Sequence, residues 1–306
     1  MPDRSQHRDG TAEILEQLAE LHHIDVSGAH LLHQHSNTAI ALPSSGLLVR
    51  IAGNPDALEA VTASVAVTRW LAARRYPCVA PADIEPFISA GRVVSLWQLI
   101  DVADGPPGNG AELGRLLRQL HDQPKPPFPL ATLDDPLRSV ARAVDNAAHG
   151  LADDDRHWLR HRINQLRQQW TRLTPALPTG LIHGDAHSNN IIRNHSGTAL
   201  LGDWDHTALG PREWDLIQPH YMKRRFNRHT EQEIADFTTT YGWDVRTWDG
   251  FPLLIEIREI SGLSPYIRKS NQDEWARDEV THRLQTLKDA DTSTHWHSPP
   301  RRQTTA

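Results

Sequence analysis

Residues 181–194 read LIHGDAHSNNIIRN, and residues 199–216 read ALLGDWDHTALGPREWDL. The first segment holds Asp185 and Asn190, five residues apart in a polar loop between two apolar stretches, and in the second Asp203 follows the apolar run 199–201. Each of these residues taken alone is ordinary in a turn or a cap. Together, two carboxylates and a carboxamide at strand ends are what phosphoryl transfer needs, because one group orients a hydroxyl and two oxygen ligands hold Mg²⁺ against nucleotide phosphates. The joint spacing therefore indicates a phosphoryl-transfer site.

Length and composition limit the possible domain organisation, partners and cellular location of the protein. With 306 residues the chain can form one large domain or two lobes. Its formal net charge of −6 gives no basic patch, so we expect no nucleic-acid partner. The first ten residues hold no apolar stretch, no apolar run is long enough to cross a bilayer, and there is one cysteine. We therefore expect a cytoplasmic protein with no membrane partner. Composition does not indicate the oligomeric state.

Hydrophobic periodicity predicts helices and strands in the first 100 residues. Apolar residues at helical spacing predict a helix over 11–21, and a second helix is predicted after Asn54–Pro55. Strands are predicted at 30–42 and 46–52, around the turn at 43–46, and again at 87–89 and 92–100. We therefore predict a small sheet-rich lobe over residues 1–100.

A turn-rich connector, DVADGPPGNG, occupies residues 101–110. Beyond it, helical stripes follow one another through residues 111–290, with a capping-box pattern at Thr230 and Glu233. The polar residues 291–306 are predicted to be a disordered tail. The plan is α+β: a small antiparallel sheet lobe with a helix, a connector, and a larger, mainly helical lobe.

The pattern HGDAHSNN at 183–190 resembles the catalytic loop of the aminoglycoside phosphotransferase and choline kinase family, relatives of the protein kinases. The resemblance covers roughly residues 30–290 and is specific only in 181–216. It implies a bilobal, protein-kinase-like fold that uses ATP and Mg²⁺.

By this resemblance Asp185 is the catalytic base that accepts the proton of the substrate hydroxyl, and Asn190 is a ligand of Mg²⁺. His187 falls where protein kinases place a catalytic lysine; it contacts the transferring phosphoryl group or has a structural role. His183 is expected to brace the loop through backbone hydrogen bonds.

The element GDWD at 202–205 resembles the family's counterpart of the kinase D-F-G motif. It implies that Asp203 bridges the metal and the phosphates. Asp205 matches the family's second acid, which faces the substrate or a second metal; a structural turn role remains open. Asp215 matches an aspartate that braces the catalytic loop.

The nucleotide side is less specific, because the sequence has neither a G-x-G-x-x-G nor a Walker A motif. Ser36 and Asn37 occupy the place of the family's phosphate-covering turn, with an ordinary hairpin as the alternative. Arg50 stands where protein kinases have the lysine of V-A-I-K, and its alternative is a surface-strand arginine. Gln98 and Leu99 are expected to form the hinge that meets adenine.

One position departs from the kinase pattern. The helix after the Arg50 strand should supply a glutamate that pairs with this cation. The sequence places Ser64 there, and Glu59 lies more than a turn earlier. Either Glu59 substitutes for the missing acid, or the pair is absent.

These features favour an ATP-dependent kinase whose substrate is a small hydroxylated molecule: an aminoglycoside, an amino sugar, a sugar or an amino alcohol. A nucleotide-binding pseudokinase or regulatory module is the alternative, supported only by the missing glutamate. Phosphorylation of a protein side chain ranks last, because nothing in 205–215 resembles an activation segment.

Overall fold

The computed structural model describes residues 4–34, 37–53, 55–103, 105–106, 108–147 and 150–298. Its strands are β1 (His30–Gln34), β2 (Asn37–Leu42), β3 (Leu47–Ala52), β4 (Phe87–Ser89), β5 (Arg92–Gln98), β6 (Gly180–Ile182), β7 (Ile191–Arg193), β8 (Ala199–Leu201) and β9 (Ala208–Gly210). Its helices are α1 (Arg4–His22), α2 (Leu58–Ala73), α3 (Gly110–His121), α4 (Arg138–Asn146), α5 (Asp153–Trp170), α6 (Glu213–Leu216), α7 (Gln218–Phe226), α8 (Glu231–Tyr241), α9 (Phe251–Ser261), α10 (Ser264–Lys269) and α11 (Glu274–Lys288). Within these described ranges, no helix has the length and apolarity needed to cross a bilayer.

The chain divides into two compact units, neither of which is one continuous stretch. The first unit comprises Met1–Gly108, Lys125–Leu130 and His183–Thr207. The second comprises Asn109–Pro124, Ala131–Ile182 and Ala208–Ala306. Residues 183–207, which carry both predicted active-site motifs, thus group with the sheet and not with the helices on either side of them in sequence.

The first unit is built on a five-stranded antiparallel sheet with the order β1-β2-β3-β5-β4. Alternate residues of a strand point to opposite faces, so each face of the sheet collects its own apolar set. One face buries Ile40, Val49 and Ile51 against Ile14 and Leu18 of α1. This core fixes the register of the central strands, because a slip by one residue would turn these side chains out of the core.

The opposite face of the sheet meets α2 and the hairpin of β7 and β8. Val65 of α2 packs with Trp97 of β5, and Leu48, Ile192 and Leu200 pack against this cluster. Arg50 is two residues from Leu48 on β3 and therefore lies on the same face. The strand alternation thus directs the Arg50 guanidinium towards the side of the sheet on which residues 183–207 fold.

The second unit is mainly helical. Helices α3 and α8 pack closely enough that a methyl group at Gly114 would meet the backbone of Phe237. A buried chain of polar groups links elements of this unit: His121 Nδ1 lies 2.8 Å from the Tyr241 hydroxyl, and its Nε2 lies 3.2 Å from Asp215. Because these groups are buried, the hydrogen bonds between them offset part of the cost of removing them from water.

The sequence predicted most of these elements correctly. The capping box at Thr230 is confirmed, since the Thr230 hydroxyl accepts from the Glu233 N–H and the Glu233 carboxylate accepts from the Thr230 N–H. The predicted connector 101–110 falls partly outside the described residues, and α3 begins at Gly110 behind an Asn109 cap.

The expectation of a disordered tail is wrong for residues 291–298. Trp296 is 3% exposed, its indole N–H donates to the Thr286 hydroxyl at 2.9 Å, and Arg225 and Arg283 lie over its ring. Polar composition alone predicted disorder, whereas Trp296 packs between the Arg225 side chain of α7 and the Arg283 side chain of α11. The tail beyond residue 298 lies outside the described residues.

Candidate active site

The loop at 183–190 is held from inside by His183. This residue is fully buried, its Nε2 donates to the carbonyl oxygen of Gly202 at 2.9 Å, and its Nδ1 accepts from the backbone N–H of Asp185 at 3.3 Å. The ring also packs on the Trp204 indole, with 4.6 Å between centroids. These are the contacts that a bracing role requires, and they tie residues 183–190, called the HGD loop below, to the GDWD element at 202–205.

Gly184 explains why the loop can turn so tightly. Its φ is +86°, in the region that favours glycine, and an added Cβ would collide with the carbonyl oxygen of His206. Any other residue would push the two motifs apart.

Asn190 is locked to the backbone of the predicted base. Its side-chain nitrogen donates to the backbone carbonyl oxygen of Asp185 at 3.0 Å, while the backbone carbonyl oxygen of Asn190 accepts from the N–H of Gly202 at 2.8 Å. Because the amide nitrogen is used as a donor, Oδ1 is the atom left to ligate a cation. The residue fits the predicted metal-ligand role.

Asp185 and His187 lie side by side on the accessible part of the loop. Their carboxylate and imidazole are 3.8 Å apart, and their side chains are 26% and 21% exposed. At this partial exposure a small molecule can reach both groups. The structure therefore brings together the two residues that were predicted to act on the reacting groups.

Asp203 sits in an unusual backbone conformation. Its φ is +60°, a region that non-glycine residues rarely adopt, and its side chain is 50% exposed. Strain of this kind persists where the surrounding structure imposes it, and it is common at ligand-binding sites. The turn leaves the Asp203 carboxylate accessible, as an oxygen ligand of a divalent ion must be.

Arg50 forms a fork with Asp205. Its Nη1 donates to Oδ1 at 3.0 Å and its Nη2 to Oδ2 at 2.8 Å, and Nη2 also reaches Asp203 Oδ1 at 3.1 Å. Asn37, at the start of β2, donates to the same Asp205 Oδ2 at 3.0 Å. Asp205 thus accepts three hydrogen bonds from two strands of the sheet.

The helix that was expected to supply the counter-ion does not do so among the described residues. Ser64 of α2 is fully buried, Glu59 is exposed at the beginning of α2, and the ion pairs of Arg50 are those with Asp203 and Asp205. The suggestion that Glu59 substitutes for the missing acid is therefore wrong. Sequence reasoning missed the true partner because Asp205 is 155 residues away from Arg50.

The remaining predicted residues lie outside the HGD loop and the GDWD element in the sequence. Ser36 lies outside the described residues. The N–H of Gln98 donates to Ala80 and that of Leu99 to Gly46, both at 2.9 Å, so contacts with adenine there would use carbonyl oxygens. Asp215, in the second unit, is buried and accepts from His121.

Within the described ranges, no group of three or more His, Cys, Asp or Glu side chains is arranged to hold a metal ion. Asn190 Oδ1 and the Asp203 carboxylate are the two oxygen ligands that the resemblance predicts. Mg²⁺ commonly takes only one or two protein ligands and completes its shell with water and phosphate oxygens, so this pair fits it.

The family model described as "Phosphotransferase enzyme family" matches residues 31–251, more than two thirds of the chain. No individual curated protein matches the sequence.

Several solved structures share the fold. They include an amicoumacin kinase in complex with AMP-PNP, Ca²⁺ and its ligand (TM-score 0.67, 13% identity, covering 94% of this chain and 97% of that one). A spectinomycin phosphotransferase in complex with ADP and spectinomycin is similar (TM-score 0.61, 16% identity, 90% and 94% covered). A third is a choline/ethanolamine kinase family protein from Mesorhizobium loti (TM-score 0.65, 14% identity, 91% and 95% covered).

At this level of identity the structural likeness shows the fold alone, and it confirms the predicted α+β, protein-kinase-like class. The family itself is shown by the match over 31–251, which contains both the HGD loop and the GDWD element. The chain belongs to the phosphotransferase enzyme family.

Proposed function

We propose that the protein transfers the γ-phosphoryl group of ATP to a hydroxyl group of a small molecule. The observation that carries the proposal is the bond from the Asn190 side chain to the Asp185 carbonyl oxygen at 3.0 Å. It couples the candidate base and a candidate metal ligand in one loop, and His183 ties that loop to the GDWD element. A fixed spacing between base and metal is the requirement of in-line phosphoryl transfer.

Each residue then has a defined task. Asp185 accepts a hydrogen bond from the acceptor hydroxyl and takes its proton as the new P–O bond forms. His187 donates to an oxygen of the transferring group. Asn190 and Asp203 would hold Mg²⁺, which neutralises charge on the phosphates when bound. Catalysis is mostly positioning and charge stabilisation, because the loose transition state needs little covalent help.

We further propose that residues 1–100 supply the nucleotide contacts and that residues 111–290 supply those of the acceptor. The acceptor class includes aminoglycosides, amino sugars, sugars and amino alcohols. Support comes from the ligands of structural relatives, since a spectinomycin phosphotransferase holds spectinomycin with ADP and an amicoumacin kinase holds Ami with AMP-PNP and Ca²⁺. We place the protein in the cytoplasm, where ATP is available.

The test is ATP consumption by the purified protein across a panel of these four acceptor classes, with the phosphorylated product identified by mass. We expect Asp185→Asn to lower kcat by about 10²–10⁴-fold, the usual contribution of a general base. Asp145→Asn is the matched control, because Asp145 forms an exposed ion pair with Arg160 in the second unit. Full turnover by the Asp185→Asn protein contradicts the mechanism.

The pseudokinase alternative rested on an arginine without an acidic partner. Arg50 has two such partners, Asp203 and Asp205, so the missing helix glutamate does not support a degenerate site. Nucleotide binding with no phosphorylated product, in the same panel and in metabolite extracts, would favour the alternative.

A further inference from the structure

The contacts of Asp205 give this residue a role toward Arg50, which depends on the proposed function. Arg50 lies in the middle of β3, where it pairs with Ser95 of β5 and Ala39 of β2. An arginine side chain has many rotamers, and its freedom must be restricted if it is to grip a phosphate in one position. In protein kinases a helix glutamate restricts the corresponding lysine. The α2 helix of this chain has the buried Ser64 instead.

The restraint on Arg50 comes from another direction. The two-point contact with Asp205, at 3.0 and 2.8 Å, fixes the plane of the guanidinium as well as its distance. The side chains of Arg50 and Asp205 are 20% and 31% exposed, so solvent screening is incomplete. Asn37 donates to Asp205 Oδ2 at 3.0 Å and holds the carboxylate against β2.

Asp203 is the weaker partner of the same guanidinium. It receives one hydrogen bond, at 3.1 Å, from the Nη2 atom that also serves Asp205. A divalent ion at Asp203 would repel Arg50 and compete for that carboxylate. The fork with Asp205 does not use the Asp203 oxygen, so it can keep Arg50 in place when Asp203 binds metal.

We propose that Asp205 is the positioning residue for Arg50 and replaces the helix glutamate that this chain lacks, so that the guanidinium is held for a nucleotide phosphate by the GDWD element instead of by α2. Asn37 orients Asp205 from the neighbouring strand. In this account Asp205 acts through Arg50 and is not a ligand of a second metal.

The experiment is a double-variant cycle with R50Q, D205N and R50Q/D205N. The dissociation constant of ADP is measured by titration calorimetry, first with EDTA and then with Mg²⁺. We expect R50Q to weaken ADP binding by about 10-fold in the native background, which is about 1.4 kcal/mol, and by less than about 3-fold in the D205N background. Removing the Asp205 charge also changes ADP binding directly. This direct effect cancels, because it is present in both D205N and R50Q/D205N, which are compared with each other.

Equal effects of R50Q in both backgrounds would overturn the proposal. So would a D205N protein that retains the full Arg50 effect and changes only its dependence on Mg²⁺, since that is the behaviour of a metal ligand. D145N serves again as the control, and it should leave the Arg50 effect at its native size because the Asp145–Arg160 pair belongs to the second unit.

A second measurement separates this proposal from the proposed function. If the native protein binds no nucleotide, the function fails, and the pairing is then read from urea unfolding of the same four ligand-free proteins. A midpoint shift of R50Q/D205N that is smaller than the sum of the single shifts supports the pairing. Additive shifts overturn it.

Discussion

Trp296 provides a quantitative test of the C-terminal packing. The residue is 3% exposed, and its ring centroid lies 4.7 Å from the Arg225 guanidinium and 4.8 Å from that of Arg283. A tryptophan buries about 200 Å² of surface, which at about 25 cal/mol per Å² corresponds to about 5 kcal/mol as an upper bound. The two cations add to this, although Arg283 keeps its contact with Tyr266 at 3.9 Å when the indole is removed.

We therefore expect Trp296→Ala to lower the free energy of unfolding by about 3–5 kcal/mol, in line with other buried aromatic truncations. Urea unfolding followed by far-ultraviolet circular dichroism measures it. Trp296→Phe should recover part of the loss, because it keeps the ring but not the hydrogen bond to Thr286 at 2.9 Å.

Trp158→Ala is the matched control, since Trp158 is partly exposed on α5 and its cation contact, Lys288, is 6.0 Å away. Its effect should stay within about 1 kcal/mol. If Trp296→Ala were equally mild, the assignment of residues 291–298 to the packed structure would be refuted, and the reasoning from burial would fail with it.

Three further predictions concern the loop, the metal and pH. Gly184→Ala should cost more stability than Gly197→Ala by about 1–3 kcal/mol in thermal unfolding, because both glycines have φ near +80° but only Gly184 faces the His206 carbonyl oxygen. Asn190→Ala should raise the Mg²⁺ concentration for half-maximal activity by at least about 10-fold, whereas an unchanged requirement would remove this residue from the metal site. Burial, reinforced by Arg246, lowers the pKa of His220 to about 4, so the native state resists a proton that the unfolded chain accepts below about pH 6.5. The stability contributed by neutral His220 is complete above pH 6.5 and should fall by about 1.4 kcal/mol for each pH unit down to about pH 4. A His220→Leu protein with the same slope in a pH series of urea unfolding would argue against this assignment.

The parts of the site that the sequence predicted are those built from near neighbours in the chain. Asp185, His187 and Asn190 share one loop, and the contact between Asn190 and the Asp185 carbonyl spans five residues. Contacts at this range depend on local turns, so residue spacing is enough to predict that these residues lie together. The capping box at Thr230 was predictable for the same reason.

Expectations based on analogy or bulk polarity were less successful. The kinase pattern directed attention to α2 for the partner of Arg50, and the partner is Asp205 instead. The polarity of residues 291–306 suggested disorder. However, the free energy gained by burying Trp296 is larger than the tendency of the neighbouring exposed polar residues towards disorder.

By itself the sequence determined the helices and strands, the two motifs and the family to which the chain belongs, because hydrophobic periodicity and loop spacing are local properties. The tertiary structure alone decided which acid faces Arg50, how His183 joins Gly202 to Asp185, and what covers Trp296. Those contacts form between segments that are distant in the sequence and that packing brings together. The partner in an ion pair or ring contact depends on distance in space, which the sequence does not show. The HGD loop therefore predicts which groups would move a phosphoryl group, and the folded chain shows what holds them in position.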